Sequence, residues 1–391
     1  MEHKLENRTL TIYLRGRIDT SNSKTMEDEI NQIRLENPAD AIVLDLEDLE
    51  FISSSGLRVV LRIKQCCPDT SLINVNHDVY DIFDMTGFTE MMDIKKAYRV
   101  ISVEGCEVIG KGANGKVYRI SEDTVVKAYL NPDALEDIHK ERELARTAFV
   151  LGVPTAIPYD VVKLEGGGYG SVFELLHATN FAKLLCRDHR PVEEVAKMSI
   201  DLLKIIHNTK VNPDSLPSMR ELALQWADFL KDYLPLDQFE KLHSLVAAVP
   251  EDNHLMHGDY HIKNITRQGD ENLIIDMDTL CHGHPVFELA SMFNAYCGYT
   301  ELDHSVAEKF LGIDYDTATA FWNLSLRFYL DTEEESSIRE VEDKAKIIGY
   351  MRMLRRRIRR NGFDTEEGRA EIACAKAHLA ELLPRIDSLV F

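Results

Sequence analysis

The 391-residue chain reads as two mixed folds in series. An α/β module occupies the first hundred residues. An α+β module follows, with a small strand-rich start and a large, mostly helical remainder. Three observations predict this. Strand and helix patterns alternate up to about residue 100, which favours a small sheet with helices packed on it. Strand patterns then cluster around a glycine turn. From about Asn180 the pattern is helical, interrupted by a strand-like stretch at 273–276.

The elements follow in order. Thr9–Ile18 (TLTIYLRGRI) alternates like a half-buried strand. Ser23–Glu36 is polar, with Met26, Ile30, Ile33 and Leu35 near helical spacing and Ser21 or Ser23 as its expected cap. Residues 41–46 (AIVLDL) suit a buried strand. Residues 57–64 read as a helix after the Ser53-Ser54-Ser55-Gly56 turn, 72–75 as a strand, and 79–85 as a helix stopped by Gly87. Past residue 103, strands are expected at 107–109, 116–120 and 124–128. Asn131-Pro132 offers a cap with proline at the first helical position, and Gly152 a stop, around a long amphipathic stretch. Residues 169–175 read as one more strand.

Lys plus Arg number 45 and Asp plus Glu 66, for a net charge of −21. Such a surface repels phosphate backbones and anionic lipid, so no nucleic-acid and no membrane partner is expected. The first residues are charged and lack the apolar core of a signal peptide, and no apolar run approaches the ~20 residues that span a bilayer. Seven cysteines, an odd number without a CxxC pair, argue against a disulfide framework and a zinc ribbon. A cytoplasmic location is the expectation.

One constellation carries chemistry. Gly110-Lys111-Gly112-Ala113-Asn114-Gly115 is G-x-G-x-x-G, whose glycines let backbone approach phosphates closely. A dinucleotide fingerprint needs a helix next, but residues 116–120 look like a strand, the strand–loop–strand arrangement of a kinase glycine-rich loop. Lys127 sits in an apolar strand and needs an anionic partner. Glu141 on the following helix is one candidate and Glu143 the rival, and only one can face the lysine. His257-Gly258-Asp259-Tyr260-His261-Ile262-Lys263-Asn264 is H-x-D-x-x-x-x-N. Asp259 can accept a hydrogen bond from a substrate hydroxyl, and Asn264 can give a neutral oxygen to Mg²⁺. Asp276 and Asp278 end the 273–276 strand, and carboxylates suit a hard cation that bridges phosphates. A rival zinc cluster would draw on His254, His257, His261, Cys281, His282 and His284, but the spacing matches no common ligand pattern. His257 is instead expected to shape the loop.

From these motifs, residues 104–391 resemble the aminoglycoside phosphotransferase-like branch of the protein-kinase-like fold. Gly283-His284-Pro285-Val286-Phe287-Glu288-Leu289-Ala290 resembles that family's G-x-P-x-x-D-L-A, with Glu288 in place of aspartate. The resemblance implies ATP and Mg²⁺ as cofactors and a small-molecule hydroxyl as acceptor. It implies Asp259 as the catalytic residue, Lys127 on the α- and β-phosphates held by Glu141, and Asn264 and Asp276 on the metal. The glycine loop (Gly110, Gly112, Gly115) would cover the phosphates, and a hinge through Glu174 and Leu176 would meet adenine. Residues 1–100 resemble a STAS domain, the fold of bacterial anti-sigma factor antagonists, through residues 43–57 and 82–88. Their D-S-[ST]-G motif places the phosphorylated serine at Ser54, with Ser53 in place of the aspartate. The alternative is that Ser54 or Ser55 caps the next helix.

The expected domains are 1–102, STAS-like, and 103–391, transferase-like, with an N-lobe at 103–175 and a C-lobe at 176–391. The expected function is phosphotransfer to a small-molecule hydroxyl, with the STAS part as a regulatory module or a docking site for a protein partner. Two alternatives are a protein serine kinase acting on a STAS serine such as Ser54, and a non-catalytic nucleotide sensor. The basic run 352–360 (RMLRRRIRR) is expected to be a solvated or acid-paired face, with Met351, Leu354 and Ile358 inward. An anionic-substrate contact is the minority reading.

Overall fold

Alternation along one strand puts Leu10, Ile12 and Leu14 on a single buried face. That face belongs to the first of two units, Met1–Ser102 with Val162–Glu165. The computed structural model describes residues 1–111, 115–131 and 134–391. In the first unit the sheet order is β1 (His3–Glu6), β2 (Thr9–Ile18), β3 (Ala41–Ile52), β4 (Thr70–Val75), β5 (Ile94–Lys96). β1 is antiparallel to β2, and the remaining neighbours are parallel. Parallel neighbours need crossovers, which α1 (Ser23–Glu36), α2 (Ser54–Cys66) and α3 (His77–Met85) supply. Ile30 and Ile33 of α1, Val59, Val60 and Ile63 of α2, and Phe83 of α3 join the sheet in one core. β6 (Arg99–Ile101) follows.

Two caps differ from expectation. The residue at the start of α1 is Asn22, with Ser23 already helical and Ser21 bonded to Asp19. Ser53, not Ser54 or Ser55, caps α2: its extended backbone turns Oγ to accept from the Gly56 amide at 3.4 Å. A cap must precede the first helical residue, and α2 begins three residues earlier than its apolar pattern suggests.

The second unit is Val103–Val161 with Gly166–Phe391. Its first part holds β7 (Glu107–Lys111), β8 (Gly115–Arg119), β9 (Thr124–Tyr129), α4 (Leu135–Val150), β10 (Pro158–Leu164) and β11 (Tyr169–Glu174), with strands ordered β10-β11-β9-β8-β7. Gly112 of the glycine loop and Pro132 of the expected helix start lie outside the described residues.

The remainder comprises β12 (Thr179–Asn180), α5 (Phe181–Cys186), α6 (Val192–Asn208), α7 (Met219–Phe229), α8 (Leu236–Ala247), β13 (Leu255–Met256), β14 (Ile265–Gln268), β15 (Glu271–Ile274), β16 (Cys281–His282), α9 (Val286–Tyr296), α10 (Ser305–Leu311), α11 (Tyr315–Leu330), α12 (Glu335–Arg359) and α13 (Glu366–Leu382). α9 is buried on all sides, so apolar residues occupy every face of it rather than a stripe, and Glu288, Ser291 and Asn294 are buried among them. Met351, Leu354 and Ile358 of α12 face inward as expected. Among the described residues no helix is long and apolar enough to cross a membrane.

Candidate active site

Strand β9 alternates so that Val126 and Ala128 enter the core while Lys127 leaves on the other face. The lysine is kept from solvent, with 18% of its side chain exposed. Its Nζ lies 2.6 Å from Glu141 Oε1 and 3.1 Å from Asp276 Oδ1. Tyr129 donates to the other Glu141 oxygen at 2.6 Å, which fixes the carboxylate from both sides. Glu143 turns away to Arg142 and Arg146. Burial alone would discharge Lys127, but Asp276 and Glu141 outweigh it and hold the ammonium above its ordinary value. Burial and Glu141 likewise push the Tyr129 phenol up, so it stays a donor.

β7 and β8 form the antiparallel pair on either side of the glycine loop, with Lys111 opposite Lys116. Gly110 lies in β7 and Gly115 opens β8. A Cβ on Gly115 would stand 2.3 Å from the Ala128 carbonyl oxygen, so only glycine lets β8 approach β9 there.

The loop after β13 is held from every side. Gly258 has φ +83, and a Cβ there would meet the Thr279 carbonyl at 2.5 Å. Glu288, fully buried at the start of α9, accepts from the His257 amide at 2.6 Å and from the Gly258 amide at 3.0 Å. His257 Nδ1 accepts from the Asp259 amide at 3.2 Å and its Nε2 donates to the Ile275 carbonyl at 3.1 Å. Tyr260 donates to the Ser199 carbonyl at 2.6 Å. Asn264 Nδ2 donates to the Asp259 carbonyl at 3.0 Å, which leaves its side-chain oxygen as the atom that could hold a cation. The Ile275 amide donates to the Asn264 carbonyl at 2.9 Å, tying this loop to the segment that carries Asp276.

The electrostatics divide the carboxylates. Burial pushes Asp259 up, but His261 at 3.5 Å, Arg352 and His257 prevail and hold it at about 2. It is therefore ionised near neutral pH. Burial and the charges of Asp276, Glu141 and Asp259 push Asp278 the other way, to about 7. Asp276 has φ +69, a conformation that Asp tolerates better than most residues. Crowded carboxylates beside an amide oxygen are a hard-oxygen donor set that fits a magnesium-type cation.

Lys127, Glu141, Asp259, Asn264 and Asp276 are thus linked in one hydrogen-bonded and electrostatic network. At the expected hinge the Glu174 amide is taken by the Ile157 carbonyl and the Leu175 amide by the Asp123 carbonyl. The histidines do not converge. His254 pairs with Asp252, and His282 Nδ1 donates to the Asp252 carbonyl at 2.7 Å. Among the described residues the metal-capable group is Glu301, Cys374 and His378, none of them in the rival zinc set.

Sequence reading missed two contributors. Tyr129 was not singled out as a partner of Glu141. Arg352 donates to the Gly258 carbonyl at 3.2 Å and to Ser291 Oγ at 2.9 Å, where a solvated face was expected. A signal for Arg352 was present. The stripe Val341, Ala345, Ile348 continues at spacings of 4 and 3 onto Arg352.

The model of the phosphotransferase enzyme family matches residues 105–321, and that of the STAS domain matches residues 1–100. The anti-sigma F factor antagonist of Paenibacillus polymyxa is 31% identical over 98 residues, 24% of this chain and 82% of that protein. A choline/ethanolamine kinase family protein from Mesorhizobium loti is 19% identical, with 71% of this chain and 87% of that one covered and a TM-score of 0.44. A thermostable mutant of an aminoglycoside phosphotransferase is 13% identical, with 72% and 94% covered and a TM-score of 0.47. The chain therefore belongs to the phosphotransferase enzyme family and carries an N-terminal STAS domain, and its activity is that of a kinase with an alcohol group as acceptor.

Proposed function

We propose that the enzyme moves the γ-phosphate of ATP to a hydroxyl of a small molecule, with Mg²⁺ held by Asn264 and Asp276. The observation that carries this is the convergence of Lys127, Asp276 and the Asp259–Asn264 loop. The acceptor oxygen forms a bond to the γ-phosphorus while the bond to the β,γ-bridging oxygen breaks and ADP leaves. The hydroxyl proton passes to Asp259. A carboxylate at about 2 is a weak base, which suits a loose transition state in which the hydroxyl is oriented first and loses its proton late. Lys127, kept cationic by Glu141, takes the α- and β-phosphates. The metal, when bound, neutralises charge on the β- and γ-oxygens. Gly110, Gly112 and Gly115 cover the phosphates, and the hinge at Glu174 and Leu176 meets the base.

In this reading residues 1–102 form a docking or regulatory domain and 103–391 the transferase. Ser54 is exposed on the first turn of α2 and is free of the capping role that Ser53 fills, which supports Ser54 as the modified position. Phosphate there would sit at the positive end of a helix.

The test is phosphotransfer by the full chain with ATP and Mg²⁺ over a panel of hydroxyl compounds, against Asp259→Asn. Loss of the base is expected to cost ~10²–10⁴-fold while nucleotide still binds. Equal rates in both proteins would remove Asp259 from the mechanism. Phosphate appearing on a peptide of the chain, with no small molecule modified, would replace this reading by the protein-kinase one.

A further inference from the structure

The basic end of α12 is only in part the solvated or acid-paired face its composition suggests: Arg356, Arg359 and Arg360 are exposed and Arg357 pairs with Glu367 and Glu371, but Arg352 and Arg355 are half-buried. Val341, Ala345 and Ile348 form a stripe of buried or nearly buried residues, and the same stripe continues as Arg352, Arg355 and Arg359 at spacings of 4, 3 and 4. Arg352 and Arg355 therefore leave the helix beside its buried side and are half-buried, while Arg359, one turn further on, is exposed. Arg352 reaches the catalytic loop through the Gly258 carbonyl, and it is among the charges that hold Asp259 ionised. The guanidinium carbons of Arg352 and Arg355 lie 5.6 and 5.8 Å from the Trp226 ring centroid, and Arg355 also covers Phe229 at 5.8 Å.

Most of these cations lack a paired carboxylate among the described residues. The run 352–360 contains six arginines, in a chain with 66 carboxylate residues against 45 basic ones. Among the described residues only Arg357 of the six has a carboxylate within ion-pairing distance, on Glu367 and Glu371. Arg355 Nε is buried without a hydrogen-bond partner. Burial, Arg359 and Arg352 all draw the Arg355 guanidinium below its ordinary value. A protein this acidic has many ways to neutralise a cluster of arginines and leaves this one positive. The planar fork of arginine is matched to the two oxygens of a carboxylate or phosphate.

We propose that the acceptor carries an anionic group, a carboxylate or a phosphate, and that Arg355 and Arg359, continuing from Arg352, bind it beside the catalytic loop. This deepens the transferase reading and rests on it. A cationic acceptor such as an amino sugar would be repelled here. Trp226 lies against the guanidinium groups of both Arg352 and Arg355, and Arg352 joins them to the loop bearing Asp259. The anion end of the acceptor is thereby fixed at one point and its hydroxyl is directed toward the carboxylate.

The test uses the full chain with its nucleotide site saturated by Mg²⁺ and a non-hydrolysable ATP analogue. Inorganic phosphate and glycolate are titrated separately by calorimetry, so the two anion classes are told apart. Saturable binding of at least one is expected. Arg355→Gln with Arg359→Gln is expected to weaken it about tenfold or more, while affinity for the analogue stays within about twofold. Arg355→Lys, which keeps the charge and tests whether the face is merely structural, should retain part of the affinity. No saturable binding of either anion, or equal binding by the double variant, overturns the proposal. Failure of the analogue itself to bind would instead sink the transferase reading, and the anion titration would still read the arginine face.

Discussion

Lys127 Nζ stands 3.1 Å from Asp276 Oδ1 although 149 residues separate the two. The contact joins strand β9 to the segment that follows β15. In the proposed reaction it sets the cation that would take phosphate against the carboxylate that would take the metal. Lys127→Ala is expected to raise the dissociation constant for Mg²⁺–ATP about tenfold or more, since hydrogen bonds to charged groups contribute ~1.5–3 kcal/mol. Glu141→Gln should act in the same direction more weakly, because the lysine keeps Asp276. Calorimetric titration of nucleotide into each protein checks both.

Glu288 is an internal strut rather than a substrate contact. Glu288→Ala would leave the His257 and Gly258 amides buried without partners. At ~1–3 kcal/mol for each, the second unit should lose roughly 2–6 kcal/mol of stability in urea unfolding, and phosphotransfer should fall with it.

The same residue sets an acid limit. Burial pushes its carboxyl up, but His207, His257 and the Gly258 amide outweigh burial and hold it below its ordinary 4.5. The native state then binds fewer protons than the unfolded one. The stabilisation is complete above about pH 4.5 and is lost as pH falls through the native value. Glu288→Gln should therefore be less stable than wild type at pH 7 and show a flatter decline on acidification. Urea midpoints measured from pH 7 to pH 3 decide it, and parallel curves would remove Glu288 from the acid response.

At Gly115 the limit is distance. Gly115→Ala sets a Cβ against the Ala128 carbonyl, which forces β8 off β9 beside Lys127. Overpacking of this kind costs ~1–3 kcal/mol. Nucleotide affinity is expected to drop together with stability, and a thermal scan with and without Mg²⁺–ATP reads both.

In the STAS domain the cap falls on Ser53, a different serine from the proposed modification position, Ser54. Ser53→Ala should cost about 1 kcal/mol as a lost cap, whereas Ser54→Ala, at an exposed position, should stay within about 0.5 kcal/mol. Amide exchange in the first turn of α2 separates them: faster exchange in the Ser54 variant and none in the Ser53 variant would reverse the assignment.

Much of this was legible in the sequence, because the strongest signals are local. Alternation in Thr9–Ile18 and the helical spacing in Ser23–Glu36 gave both elements to the residue. H-x-D-x-x-x-x-N places Asp259 and Asn264 in one loop, where a single hydrogen bond joins them. The choice of Glu141 over Glu143 was open, since both lie on α4 and only the helix's rotation against β9 decides. β1 and β10 escaped notice because their backbones pair through ladder bonds that side-chain pattern does not encode: β1 is exposed throughout, and β10 opens on a proline. The arginines of α12 looked like a surface run, because composition records charge and not the direction a helix faces. By itself the sequence determined which chemistry the chain carries, since reactive side chains are specified one residue at a time. Only the tertiary structure decided what surrounds them, from the buried carboxylate under the Asp259 loop to the guanidinium face beside it, because burial and unpaired charge arise when distant segments pack.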